Sequence, residues 1–349
     1  MAFNPTTREG ARTIAVLGAG SWGTALAALL ARKGHRVRLW ARDPEVAEHI
    51  RAHHENPRYL QGIPLPPTLE ATSRLRDLAA CEVYFLAVPS FAVRETAHRL
   101  REALGQGRES AQRIYVSLTK GLEYHRLDEG LIPMTQVLRE ELHSEQVFAL
   151  SGPSFADEVA RGQPTAVVLA GRDAERAAEL QRALMTERFR VYTSDDVVGV
   201  ELGGAVKNVI ALAAGASDGL GFGVNAKGAL VARGLAEMTR LGAVLGARKE
   251  TFFGLAGLGD LVITCMSGKS RNHTVGERVG RGESLDEILQ SMTQVAEGVY
   301  ATKALHRFAR ERGLDLPITR AVYEVLYEGA SPLEKLTELM TRAPKREEL

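Results

Sequence analysis

The chain has 349 residues, with 44 lysines and arginines against 43 aspartates and glutamates, and two widely separated cysteines, Cys81 and Cys265. A net charge of +1 offers no basic field for nucleic acid. Two lone thiols without CxxC spacing exclude a disulfide framework and a zinc site, and they suit a reducing, cytoplasmic compartment. The length allows two domains, each with its own core. No run of 18 uncharged apolar residues suggests a membrane span, and the first dozen residues lack the apolar core of a signal peptide. The nine histidines are scattered, and the adjacent pair His53-His54 reads as surface, so no metal is expected.

The first elements are the most informative. Thr13–Leu17 is an apolar, β-branched strand, Gly18-Ala19-Gly20-Ser21-Trp22-Gly23 follows at once, and an Ala/Leu-rich helix leads to a second strand at Val37–Trp40. A GxGxxG string alone is weak evidence, but between strand and helix it has a mechanism. Gly18 allows the tight turn, Gly20 lets backbone N–H groups approach a pyrophosphate, and Gly23 lets the helix pack against the sheet. The alternative is an ordinary crossover whose glycines serve packing. An NAD site usually places an acid at the end of the second strand; here Arg42 stands there, followed by Asp43. A guanidinium at that point can pair with a 2′-phosphate, which favours NADP over NAD, unless Arg42 is simply solvated.

Residues 56–67 carry four prolines and read as an irregular connection. Strand character returns at 69–72, 83–88, 114–118, 147–150, 166–169 and 190–192, with helical spacing at 93–104 and 174–184. That alternation predicts an α/β domain with a mainly parallel sheet. From about residue 195 the chain turns rich in Ala, Gly and Leu, and helical periods continue through 274–281, 284–292, 299–312 and 317–328. The expectation is a dinucleotide-binding domain over 1–194 and an all-helical C-terminal domain over 195–349.

Four segments place polar groups in apolar or glycine-rich surroundings. Ser117-Leu118-Thr119-Lys120-Gly121 ends a strand, so Lys120 can reach over the carboxyl edge of the sheet, unless it is a solvated turn residue. Ser151 to Ala156 also follows a strand, and its alternative reading is a plain turn into a helix capped by Ser154. In Glu201 to Asn208, Lys207 has Gly203, Gly204 and Ala211 at helical spacing, which predicts a lysine on a tightly packed face. Burial lowers a lysine pKa and makes it an acid or base near neutrality; the alternative is a snorkelling side chain. In the fourth segment, Asp260 and Thr264 share a helix face, and Asp260, among apolar residues, needs a buried partner, for which Lys207 is the natural candidate. Ser270 would cap a helix whose first N–H groups, at Arg271 and Asn272, make an anion site with the Arg271 guanidinium, unless Ser267–Asn272 is a solvated basic turn.

The ordered strings GAGSWGTALA, LAVPS, TKGL, SGPSFA, ELGGAVKNVIALAAG, GLAGLGDLVITC and GKSRNHTVG resemble the bacterial, soluble NAD(P)-dependent glycerol-3-phosphate dehydrogenases over essentially the whole chain. That resemblance implies a Rossmann-type domain followed by a helical one, usually as a homodimer, reducing dihydroxyacetone phosphate to sn-glycerol 3-phosphate for phospholipid biosynthesis. It also implies Lys207 as the catalytic acid/base, Asp260 as its orienting partner, and Lys120 in contact with substrate and cofactor. Gly152, Ser154, Ser270, Arg271 and Asn272 match substrate contacts. Ser21, Trp22, Arg42, Ala156, Arg271, Val295 and Glu297 match cofactor contacts, the last two on the resemblance alone. The rival readings are a β-hydroxyacid dehydrogenase and a nucleotide-binding sensor without catalysis. Lys120 and the basic loop speak against the first, and the presence of both Lys207 and Asp260 against the second.

Overall fold

The protein is described from a computed structural model over residues 11–105, 112–124, 130–344 and 346–347. The N-terminal residues 1–10, read above for a signal core, lie outside that set. The chain divides into two compact units, Met1–Thr119 with Met134–Val197, and Lys120–Pro133 with Val198–Leu349.

The first unit is built on β1 (Thr13–Leu17), α1 (Ser21–Arg32), β2 (Arg36–Trp40), α2 (Pro44–His53), β3 (Leu69–Thr72), β4 (Val83–Leu86), α3 (Ser90–Leu104) and β5 (Ile114–Ser117). After an excursion through the short strands β6 (Leu122–Tyr124) and β7 (Leu131–Pro133), it resumes with α4 (Met134–Leu142), β8 (Val147–Ser151), α5 (Ala156–Ala160), β9 (Thr165–Ala170), α6 (Ala174–Leu184) and β10 (Phe189–Ser194). Eight strands form one sheet in the order β10-β9-β8-β5-β4-β1-β2-β3, parallel throughout except for the antiparallel pair β8 and β9. Strands such as Val83–Leu86 and Val147–Ser151 are buried along their whole length, as a sheet covered on both faces requires. The chain winds outward from β1 to β3 and returns to β4 beside β1, so the direction of winding switches between β1 and β4. Ligands of such sheets bind at the carboxyl ends of the strands at that switch. The proline-rich connection is irregular, as read, yet ordered. Asn56 is fully buried and its amide donates to the Ala19 carbonyl and the Thr24 hydroxyl, each at 2.9 Å.

The second unit is helical apart from β6 and β7, which pair antiparallel. Its helices are α7 (Val197–Gly219), α8 (Val224–Leu245), α9 (Lys249–Phe253), α10 (Asp260–Met266), α11 (Arg271–Gly280), α12 (Leu285–Ser291), α13 (Glu297–Arg312), α14 (Pro317–Glu328) and α15 (Pro332–Met340), with a π-helical turn at Leu255–Gly259. Among the described residues, α7 alone is long and apolar enough to cross a membrane, with mean hydropathy 1.6, but 89% of that window is buried inside the protein. It is the core helix of the unit, flanked by Leu235, Met238, Leu261, Val275 and Val299 in one apolar cluster. The β6–β7 pair and helices α4 and α15 went unread in the sequence. The strands are three residues long, too short for an alternation to register.

Candidate active site

In the sheet unit the glycine turn is set by close approach. Gly18 has φ +112°, and a Cβ there would lie 2.7 Å from the Ala87 carbonyl oxygen, at the end of β4. A Cβ on Gly23 would come to 2.0 Å from the Gly18 carbonyl oxygen, so α1 touches the turn backbone to backbone. Gly20 is different: nothing lies within 4 Å of its missing Cβ. It is also the N-cap of α1, makes no side-chain cap, and is followed by no acid in the first turn. The positive end of a twelve-residue helix therefore faces open space over a glycine, which fits a pyrophosphate. Ser21 and Trp22 begin this helix, both partly exposed.

Arg42 is exposed just beyond the end of β2. Its neighbour Asp43 caps α2 by accepting the Glu45 N–H at 2.9 Å and pairs with Arg58 at 2.7 Å. The acid that could hold a ribose 2′-hydroxyl is thus engaged, and the guanidinium before it is the exposed charge. After β8, Gly152 adopts φ +130° with Val167 3.0 Å from where its Cβ would be. Ser154 does not cap α5. Its hydroxyl donates to the Gly152 carbonyl at 2.9 Å, and Phe155 takes the N-cap position before Ala156.

The helical unit gathers the charged groups. A Cβ on Gly203 would lie 2.3 Å from the Ala256 carbonyl oxygen, so α7 packs directly on the π-helical turn that delivers Asp260. Such turns recur at functional sites because they re-aim a side chain. Asp260 is 1% exposed and accepts from two lysines: Lys207 Nζ at 2.5 Å on one oxygen and Lys120 Nζ at 2.7 Å on the other. Lys207 also donates to Thr264 Oγ1 at 2.8 Å, whose hydroxyl donates to the Asp260 carbonyl at 2.5 Å. Two of the three ammonium N–H groups of Lys207 are therefore committed and one remains for a ligand oxygen. Burial pushes Lys207 down to about 8; the Asp260 charge pulls it back up and the Lys120 charge adds to the fall. Two cations on one anion leave a net positive charge in a shielded place, which attracts an oxyanion.

The residues read as an anion site lie in the same unit. Ser270 caps α11 by accepting the His273 N–H at 3.2 Å, and Arg271, at the first helical position, is exposed. Asn272 is buried and occupied on both sides of its amide: it donates to Asn208 Oδ1 at 2.9 Å and accepts the Gly298 N–H at 2.8 Å. Asn208 in turn donates to the Lys120 carbonyl at 3.0 Å. One chain of amides thus ties the Lys120 backbone, α7, the first turn of α11 and the start of α13, where Val295 and Glu297 stand. Asn208 carried no role in the sequence reading, although a lysine followed by an amide in an otherwise apolar helix is a usable signal. Among the described residues no three His, Cys, Asp or Glu side chains are grouped to hold a metal.

Comparison with known proteins agrees with this geometry. Residues 13–177 match the family described as NAD-dependent glycerol-3-phosphate dehydrogenase N-terminus, and residues 196–337 the corresponding C-terminus family. The glycerol-3-phosphate dehydrogenase [NAD(P)+] of Chlorobium limicola is 49% identical over 338 residues, covering 96% of this chain and 99% of that protein. The protein of the same name from Nitratidesulfovibrio vulgaris is 51% identical over 337 residues, with the same coverage. The crystal structure of glycerol-3-phosphate dehydrogenase from Coxiella burnetii superposes with a TM-score of 0.88 at 41% identity, covering 95% of this chain and 99% of that one.

Proposed function

The chain belongs to the NAD-dependent glycerol-3-phosphate dehydrogenase family, and from that premise we propose that it reduces dihydroxyacetone phosphate to sn-glycerol 3-phosphate with NADPH or NADH. The product is a backbone precursor for phospholipid biosynthesis. The observation that carries the reading is the buried Lys207–Asp260 pair with Lys120 on the second carboxylate oxygen, and an N–H of Lys207 uncommitted.

A bound reduced nicotinamide supplies a hydride to C2 of the ketone; the protein must hold the ketone and supply the proton. Lys207 holds that proton at Nζ and gives it to the C2 oxygen, and its depressed pKa makes the neutral amine left behind less costly. Asp260 keeps both ammonium groups in place, and Lys120 adds positive charge where the C2 oxygen becomes an alkoxide. The first N–H groups of α11 and the Arg271 guanidinium take the phosphate, a remote handle whose binding energy helps to hold the carbonyl. Gly152 and Ser154 are further substrate contacts in this reading. Gly18, Gly20, Ser21, Trp22 and Gly23 hold the dinucleotide, with Ala156, Val295 and Glu297 as further contacts, and Arg42 favours NADP.

The reading carries with it a cytoplasmic homodimer. Two buried free thiols fit a reducing compartment, and sedimentation equilibrium tests the dimer. The decisive experiment measures initial rates with dihydroxyacetone phosphate and non-phosphorylated 2-keto and 3-keto acids, each with NADPH and NADH. Turnover confined to the phosphorylated ketone is expected. Preference for a keto acid, or cofactor binding without turnover, overturns the proposal.

A further inference from the structure

Outside the Lys207 cluster, the helical unit holds a second charged group that the proposed chemistry does not use. His273, third in α11 and 4% exposed, places Nε2 2.8 Å from Asp218 Oδ2 near the end of α7. Lys227 of α8 donates to the same oxygen at 2.9 Å. With a carboxylate at that distance, Nε2 carries the proton, and Nδ1 is buried without a partner. An apolar residue would fill the space without that orphaned nitrogen, so the imidazole is not there for packing.

Its location gives it a use. Helices α7 and α11 cross with their backbones touching. A Cβ on Gly215 would lie 2.0 Å from the His273 carbonyl oxygen, and one on Gly276 2.0 Å from that of Leu212. The contact continues along both helices, with a Cβ on Gly219 placed 2.2 Å from the Glu277 carbonyl oxygen and one on Gly280 2.4 Å from that of Ala216. Two side-chain ties join the same helices, Asn208 to Asn272 ahead of this stretch of α7 and Asp218 to His273 near its far end. Their anchor points stand ten residues apart on one helix, roughly 15 Å, and they seize adjacent residues of the first turn of α11. Held by side chains from two places on α7, that turn has a fixed place from which it presents its N–H groups.

We infer that Asp218 and His273, with Lys227 as counter-ion, position the first turn of α11 for the substrate phosphate and hold it at a set distance from Lys207. The inference rests on the reading of Arg271 and the α11 N-terminus as the phosphate site. Asp218 and His273 are positioning residues: they act on the phosphate through the helix and touch neither substrate nor reacting atoms. Lys227 neutralises Asp218, so the tie adds no net negative charge beside an anion site.

The test uses the full-length enzyme with dihydroxyacetone phosphate and, as the control lacking the handle, dihydroxyacetone. His273→Leu is expected to raise KM for the phosphorylated ketone about tenfold with kcat changed less than about threefold. Its kcat/KM for dihydroxyacetone should stay at the wild-type value. His273→Gln, which returns an N–H donor, should recover KM to within about threefold of wild type. Asp218→Asn should move KM in the same direction as His273→Leu, and it alone carries the test if that variant does not fold. An unchanged KM, an equal loss on both ketones, or no recovery with glutamine overturns the inference. Arg271→Ala separates the two levels. If it too leaves KM unchanged, the phosphate site itself is misplaced; if it raises KM while His273→Leu does not, only the positioning role falls.

Discussion

The glycine turn of the sheet unit and the lysine–aspartate cluster of the helical unit prepare for their ligands with different parts of the chain. In the turn, backbone does the work. Gly18 and Gly23 remove side chains so that α1, β1 and β4 can touch, and Gly20 leaves space in front of the helix end. In the cluster, side chains do it: four groups drawn from Lys120, α7 and α10 exchange hydrogen bonds around one buried carboxylate. A backbone site tolerates no added atom where it is packed and little charge dependence anywhere. A side-chain site is governed chiefly by protonation.

That contrast can be broken in graded ways. The largest effect is expected for Lys207→Ala, which removes the proton donor and should lower kcat about 10²-fold or more, read by steady-state rates on folded protein. Near-wild-type turnover would remove Lys207 from the chemistry. Protonation should show next in the pH profile. Lys207 must be charged to give its proton, so kcat/KM for reduction should be flat below about 8 and fall above it. Oxidation needs the neutral amine and should rise to a plateau through the same pH. Identical profiles in both directions would assign the limiting titration to another group.

Substitutions in the turn should instead read out as packing. Gly23→Ala forces a Cβ against the Gly18 carbonyl and should cost about 1–3 kcal/mol in chemical denaturation. Gly20→Ala meets nothing within the protein and should leave stability within about 0.5 kcal/mol while weakening dinucleotide binding. Equal stability losses at the two glycines would refute the division of labour drawn between them. The smallest effect is expected at Arg42→Ala, which should raise KM for NADPH roughly tenfold, the value of one charge-assisted contact, and hardly move KM for NADH. Equal changes for both cofactors would mean that Arg42 does not read the 2′-phosphate.

The same contrast decides what could be read from residues alone. A backbone site is contiguous, so the glycine turn, the strand before it and the helix after it stood out as one string. The cluster is not contiguous, yet part of it was legible by burial. A lone Asp260 among apolar residues demanded a cation, and Lys207 on a small-residue face was one. Its second partner was not foreseeable, because Lys120 and Asp260 lie 140 positions apart and the strand-end location suggested only an outward reach for the lysine. Asn56 was hidden for another reason. It lies in a polar, proline-rich stretch where one more amide carries no signal, and only the fold shows it holding the Ala19 carbonyl inside the glycine turn. Asn272 read as a phosphate contact by position, and its amide is spent on Asn208 and Gly298, which leaves its backbone N–H as the group an anion would meet.

The excursion of Lys120–Pro133 into the helical unit also bears on how the protein is made. Leu122 and Leu131 of that strand pair are buried in the helical core, and Phe308 of α13 lies 3.4 Å from the position of a Cβ on Gly130. On the ribosome the pair emerges long before α13. At about 5–20 residues per second, its apolar face waits roughly ten to thirty seconds for the helix that covers it. The sheet is also unfinished when the pair emerges, since β8, β9 and β10 come after it. Nascent chains arrested before α13 should therefore be the ones that recruit holding chaperones, and release of those chaperones should coincide with the emergence of Phe308.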